Sequence, residues 1–513
     1  MHNPDDLGKM QYKELWTAFD EAEGEEKLAL YGALKDRLWD MQDYNTIIGL
    51  SDRMCNLAVE LGDPETAGLH KFTQASANFN LGSFLEAAIS YGVSAEFAAE
   101  TGNQSQLAER LWNKADSYFS LEDYENALNT SKEAATIAEA EVLEKMAGNC
   151  MYTHAKSLYF LDRDEEAIEA LEDARNHFRN AGEAAWVADV DAYRVRILSY
   201  HDRYDEAIPY LRSSLLVWQT LKNTNWEAFI NYRLAESLRL SDNINESIPY
   251  YEVAITKYTE IDKFAEIPKC ELGLGRAYEQ LNDYVNAIQH LVQASALADA
   301  MGADWTAYDA DGMRAIALHN DDQFEAAKQL NLKLLTTLEK KSDTKSIETA
   351  YPVRARAAHN ALSQENWTET LSILENTPSL GEFVPSTGWL LWRMQLQARA
   401  LYKLGREDEA LAVADSALKI TTEEYVSSIT GHFYEIRGLV LNHKNKREGK
   451  RDLAHAIALH LANNLDGHAR ALAEYFLPSE GDPFGSDNSL SDLRRDVEEE
   501  PTKKGMSSST LNS

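Results

Sequence analysis

Cysteine, basic charge and long apolar runs are all scarce in this chain, and each scarcity removes a class of function. Its 513 residues include three cysteines, Cys55, Cys150 and Cys270, far apart and without metal-ligand spacing. Neither a disulfide framework nor a cysteine metal site is expected, and a reducing, cytoplasmic setting fits. Cys150 and Cys270 fall in one helical register and read as small buried hydrophobes. The start, Met-His-Asn-Pro-Asp-Asp, lacks the basic stretch and apolar core of a signal peptide. No apolar run approaches the roughly 18 residues that a membrane-crossing helix needs. Lys plus Arg number 50 against 84 Asp plus Glu, a formal charge of −34, which disfavours nucleic-acid backbones and anionic lipid as direct partners.

Catalytic signatures are missing too. The chain has no Gly-rich phosphate loop, His-Glu-x-x-His or nucleophile elbow, so neither catalysis nor a cofactor is expected. Gly273-Leu274-Gly275 sits in a helical stretch, where small residues serve close packing. His455, His460 and His468 are spaced by five and eight, which does not line one helical face, so they read as surface or packing histidines rather than a metal site.

What the sequence has is a repeat. Tyr44, Phe84, Tyr124, Asp164, Tyr204, Ile244, Tyr284 and Phe324 recur every forty residues, followed by Trp367 and Glu407. Three positions further on stands a small residue: Ala87, Ala127, Ala167, Ala207, Ser247, Ala287, Ala327, Thr370 and Ala410. Between Leu107 and Ala138 apolar residues keep a helical period on both sides of Leu121-Glu122-Asp123-Tyr124, so each unit reads as helix, tight turn, helix. Gly62, Gly102, Gly182 and Gly302 form a third ladder, placed as left-handed caps just past a helix end, and Pro64 opens the next helix. A fixed period of this size is the mark of a solenoid, whose units bury their apolar faces by stacking.

The small residue of the first helix (Ala75, Ala115, Ala155, Ala235), the turn aromatic nine later and the alanine twelve later resemble the tetratricopeptide repeat. Leu121 to Leu128 and Leu404 to Leu411 match it closely. The resemblance covers about residues 30 to 460 and departs from the family in length, forty residues against 34, which indicates its long-helix subgroup. It implies an all-α, right-handed superhelical solenoid of antiparallel helix pairs that binds another protein.

Four parts are expected: a capping segment (1–29), a regular array (30–342), an irregular carboxy-terminal block (343–477) and a disordered tail (478–513). A three-residue insertion stands just before Trp367, and between Leu374 and Gly388 two prolines and two glycines cut a second helix short. This break reads as a bend or hinge, as part of the binding surface, or as a mere irregularity of the repeat.

In the register of the family, the residue after the small first-helix position faces the groove, and there stand Lys156, Arg196, Arg276 and Arg399. Tyr152, Tyr159, Tyr232, Arg239, Trp392 and Tyr402 are groove neighbours. Guanidinium groups and aromatic rings are the usual anchors of protein recognition. Acids on adjacent helices, such as Asp189, Glu236 and Glu279, offer the alternative that these cations are paired within the array. The favoured reading is an adaptor or scaffold that holds an extended or helical segment, with a preference for acidic or carboxylate-bearing ligands. An intracellular peptide-sensing regulator and an acidic decoy for a basic protein are the alternatives. The thirty residues ahead of the first repeat are too few for a DNA-binding domain. The sequence is silent on oligomeric state.

Overall fold

The computed structural model describes residues 10–341, 343–375, 384–421, 428–444, 446–463, 465, 469–470 and 472–473. They form 23 α-helices, one 3-10 turn and no strand among the described residues, an all-α helical repeat solenoid. Their contacts divide the chain into Met1–Lys263 and Phe264–Ser513. The expected tail from Pro478 lies outside the described residues. No described helix is long and apolar enough to cross a membrane.

The first unit holds α1 (Tyr12–Glu21), α2 (Gly24–Asp40), α3 (Tyr44–Glu60), α4 (Pro64–Asn80), α5 (Phe84–Glu100), α6 (Gln104–Ser120) and α7 (Tyr124–Ala140). It continues with α8 (Glu144–Phe160), α9 (Asp164–Asn180), α10 (Ala184–Tyr200), α11 (Tyr204–Thr220), α12 (Thr224–Leu240) and α13 (Ile244–Glu260). From α3 to α13 every helix has 17 residues and every turn has three, so all the turns are built alike. Each turn has a cap residue, a left-handed residue and an N-cap. At Leu81-Gly82-Ser83 the Gly82 N–H donates to the Phe79 carbonyl (2.9 Å) and the Ser83 N–H to the Asn78 carbonyl (2.9 Å). These two bonds are a Schellman cap, and they satisfy carbonyls that a helix end leaves open. Asp43, Asp63, Asn103, Asp123 and Asn223 then accept a backbone N–H from the first turn of the next helix. The left-handed position is glycine at 62, 82, 102 and 182, but Val142, Glu122 and Lys222 also hold it, at φ of 58°, 64° and 55°.

Successive helices pack on one another, and α6 also contacts α8. Ala87, Ala127, Ala167 and Ala207 of the second helices, and Ala75, Ala115, Ala155 and Ala235 of the first, are fully buried. A larger side chain at these crossings would hold the helices apart. The turn aromatics cover the ends of these pairs: Tyr124 stacks on Phe160 at 4.8 Å and meets Phe119 edge-on at 5.6 Å.

The second unit contains α14 (Ile267–Gln280), α15 (Tyr284–Ala300), α16 (Asp304–Asn320), α17 (Phe324–Leu338), α18 (Thr344–Ser363) and α19 (Trp367–Glu375). It ends with α20 (Thr387–Lys403), α21 (Glu407–Thr421), α22 (Ser428–Lys444) and α23 (Lys446–Ala462). In α14 a Cβ at Gly275 would lie 2.5 Å from Leu291 Cγ, so that crossing needs glycine. The nine-residue α19 is the shortest of the 23 helices, and residues 376–383 after it lie outside the described set. Cys55, Cys150 and Cys270 are buried free thiols, and burial pushes the Cys150 thiol up to about 12.

Candidate functional site

Three first helices of the first unit, α8, α10 and α12, with Leu211 of α11, line an open cavity of about 280 Å³. Tyr152 comes from α8, Asp189, Tyr193 and Arg196 from α10, and Trp226, Phe229 and Arg233 from α12. Register explains the convergence. On α10, Asp189, Tyr193 and Arg196 lie four and three residues apart on one helical face, and on α12 so do Trp226, Phe229 and Arg233.

The aromatic walls are fixed by their neighbours. Trp226 stacks on Trp218 at 5.3 Å and meets Phe229 edge-on at 5.7 Å, while Tyr152 is held edge-on to Tyr193 at 5.7 Å. Burial pushes the Tyr152 hydroxyl up to about 12, so it stays a neutral donor and acceptor. Arg196 is exposed and lies over two rings, its guanidinium carbon 4.0 Å from the Tyr193 centroid and 5.1 Å from that of Tyr159. Arg233 Nη2 donates to Ser199 Oγ at 3.3 Å. Among the described residues neither arginine has a carboxylate within ion-pair distance. Nearby arginines do: Arg175 donates to Asp191 at 2.7 Å and Arg194 to Glu172. Asp189, half-buried in the same wall, is held above the usual carboxylate range by desolvation. The cavity thus offers two planar cations, one carboxyl and rigid apolar rings.

The residues expected from the sequence separate into groups. Tyr152 and Arg196 line this cavity, and Tyr159 lies beside it under the Arg196 guanidinium. Lys156 lies beside them, 4.6 Å from the Phe119 centroid and 5.3 Å from that of Tyr152, but its Nζ is 3.7 Å from Asp116 Oδ1 and burial lowers its pKa. Tyr232 is half-buried, its ring 6.3 Å from that of Tyr251. Arg239 corrects the expectation: it is 7% exposed, pairs with Glu236 at 3.0 Å and donates to the Tyr251 hydroxyl at 3.4 Å. Its place is in helix packing, not on a binding face.

Arg276, Arg399, Trp392 and Tyr402 belong to the second unit. Arg276 pairs with Asp309 at 2.6 Å, which realises the alternative of pairing within the array. Arg399 is exposed, with no carboxylate at ion-pair distance among the described residues. Trp392 packs edge-on against His359 (5.5 Å) and Trp389 (5.5 Å), and Tyr402 is half-buried against the core of its unit. The sequence reading missed Tyr193, Trp226, Phe229 and Arg233 because it followed mainly the one groove position per repeat. A helical period carried back three, seven and ten residues from that position would have found them.

Residues 108–141 match the family profile described as tetratricopeptide repeat. No curated protein sequence matches the chain. Among solved structures, the apo form of the quorum sensor NprR from B. thuringiensis is 12% identical, covering 67% of this chain and 98% of its own, with a TM-score of 0.42. The APC/C hetero-tetramer Cut9-Hcn1 is 11% identical over 92% of this chain and 100% of its own, TM-score 0.37. BtubC from P. vanneervenii is 15% identical over 43% of this chain and 92% of its own, TM-score 0.38. At these scores the likeness carries no functional argument.

Proposed function

We propose that this tetratricopeptide-repeat protein is a protein- or peptide-binding adaptor, and that the face of α8, α10 and α12 holds a carboxylate-bearing segment of its partner. The observation behind the reading is the pair Arg196 and Arg233, two guanidinium groups without acid partners in one aromatic-walled cavity. Such a fork binds a carboxylate through two parallel hydrogen bonds, and aromatic walls contribute buried area at small entropic cost. The cavity volume is just under the roughly 300 to 1,000 Å³ usual for small-molecule sites, which suits one or two anchoring side chains of a longer segment. Asp189 in the same wall disfavours a uniformly acidic ligand and favours one whose backbone N–H or basic side chain follows the carboxylate. The peptide-sensing and acidic-decoy readings have no observation of their own behind them.

Selection of peptides from a random displayed library tests this, with wild type and an Arg196→Glu/Arg233→Glu variant as baits. Wild type should enrich sequences with Asp, Glu or a free carboxyl terminus beside an aromatic or apolar residue, and the variant should lose that set. No enrichment by wild type, or the same peptides from both baits, would contradict the proposal.

A further inference from the structure

We infer that the last helix pair carries a zinc site made by His432, Glu435 and His460. His432 and Glu435 stand three residues apart on α22 and so project from one face. His460 lies near the end of α23, with no exposed surface. Glu435 Oε2 is 3.5 Å from His432 Nδ1 and 3.4 Å from His460 Nε2, and the three donor atoms all lie within 4.8 Å of one another. Zinc bonds of about 2.0–2.1 Å in a tetrahedron put neighbouring donors roughly 3.3–3.4 Å apart, so two of the three edges already have the right length. The remaining edge closes with a small rotation of the half-buried His432 ring, whose centroid is 4.7 Å from that of His460.

Glycine brings the donors this close. A Cβ at Gly431 would fall 2.9 Å from His460 Cε1 and 3.0 Å from its Nδ1, so the bare backbone there admits the imidazole edge and leaves Nε2 toward Glu435. Further along the pair, a Cβ at Gly449 would lie 2.4 Å from the Asn442 nitrogen, and one at Gly438 would lie 3.0 Å from the Leu453 nitrogen. The two backbones therefore meet at van der Waals distance. Arg437, two residues from Glu435, is bound by Asp452 at 2.7 Å and Asp415 at 3.3 Å. Two imidazoles and one carboxylate are a borderline donor set that suits zinc, and a water would complete four-coordination. The ion would clip α22 to α23 and stabilise the fold of that pair. The histidine spacings 455, 460 and 468 concealed this site because two of its three donors lie on the preceding helix. His455 is exposed beside Tyr434, and His468 lies outside the described residues.

The test uses the untagged full-length protein, freed of metal with a chelator and titrated with Co²⁺ as a spectroscopic substitute for zinc. One equivalent should give the visible absorption of a tetrahedral cobalt site, Zn²⁺ should displace it, and Zn²⁺ should raise the melting temperature. His432→Ala and Glu435→Gln, both at half-buried positions, should fold with wild-type helicity and lose the stoichiometric signal and the thermal shift. Absence of one-equivalent binding in wild type overturns the inference and leaves the three groups as an ordinary His–Glu–His electrostatic cluster. Binding unchanged in both variants also overturns it, by assigning the ion to other histidines.

Discussion

Val142 is a β-branched residue in a turn that wants glycine, and Val142→Gly should stabilise the first unit. Its φ is 58°, whereas the same turn position elsewhere holds Gly62, Gly82 and Gly102 at φ of 71°, 77° and 70°. The side chain is 74% exposed, so trimming it removes little buried area. The Val142 N–H donates to the Glu139 carbonyl at 3.0 Å, a backbone bond that glycine keeps. A left-handed L-residue costs about 1–2 kcal/mol from the contact between its Cβ and the following carbonyl. Glycine returns roughly 0.4–1 kcal/mol of this through the greater freedom of its unfolded chain. The net expectation is a gain of about 1 kcal/mol, obtained by subtracting those ranges. Gly82→Val is the reciprocal change and should lose a similar amount, because a Cβ there meets nothing within 4 Å and the cost is conformational alone. Urea unfolding followed by far-UV circular dichroism gives the global change. Hydrogen exchange in the last turn of α7 gives the local one, since a solenoid's stability is a sum of unit and neighbour terms. A destabilised Val142→Gly, or a neutral Gly82→Val, would refute the reasoning.

Ala127→Leu should overpack the buried crossing of α7 and cost about 1–3 kcal/mol, and an unchanged urea midpoint would show the register to be wrong. Arg239→Gln should destabilise the first unit by at most roughly 3–5 kcal/mol, since it removes the cation of a largely buried pair and leaves the Glu236 carboxylate with the Tyr251 hydroxyl, with unfolding as the readout. His70, edge-on to Tyr31 at 5.2 Å, has its pKa lowered from 6.5 to about 4, first by burial and then by Lys35. The unfolded chain then binds the extra proton between those values, so this stability is present above 6.5 and is lost as pH falls through about 4. His70→Gln should flatten the fall in urea midpoint across that window.

The solenoid was legible because each level of the sequence agrees on it: the alanine at 127, the aromatic at 124 and the N-cap at 123 all mark one turn. The sameness of all turns was hidden, since valine, glutamate and lysine occupy at 142, 122 and 222 the left-handed position that glycine marks elsewhere. In the site, Arg196 and Tyr152 followed from register alone, but register does not show whether a cation is already paired. Arg239 stands three residues from Glu236, a helical pairing distance visible in the sequence, whereas the Arg276–Asp309 pair spans two helices and needed the fold. Arg233 and Trp226 were within reach of a wider periodic reading. The His432–Glu435–His460 cluster was not, because it depends on how closely two backbones approach at Gly431, Gly438 and Gly449.

The central claim, that the α8–α10–α12 face receives the partner segment, is tested most directly by site-specific photocrosslinking. A photoreactive residue replaces Phe229, 37% exposed in the cavity, and in a second protein it replaces Leu216, 66% exposed on α11. Each protein is irradiated with the strongest peptide from the displayed-library selection. A covalent adduct is expected at position 229, abolished when Arg196 and Arg233 are both glutamate, with little adduct at 216. Equal adducts at the two positions, or an adduct at 229 that survives both charge reversals, would contradict it.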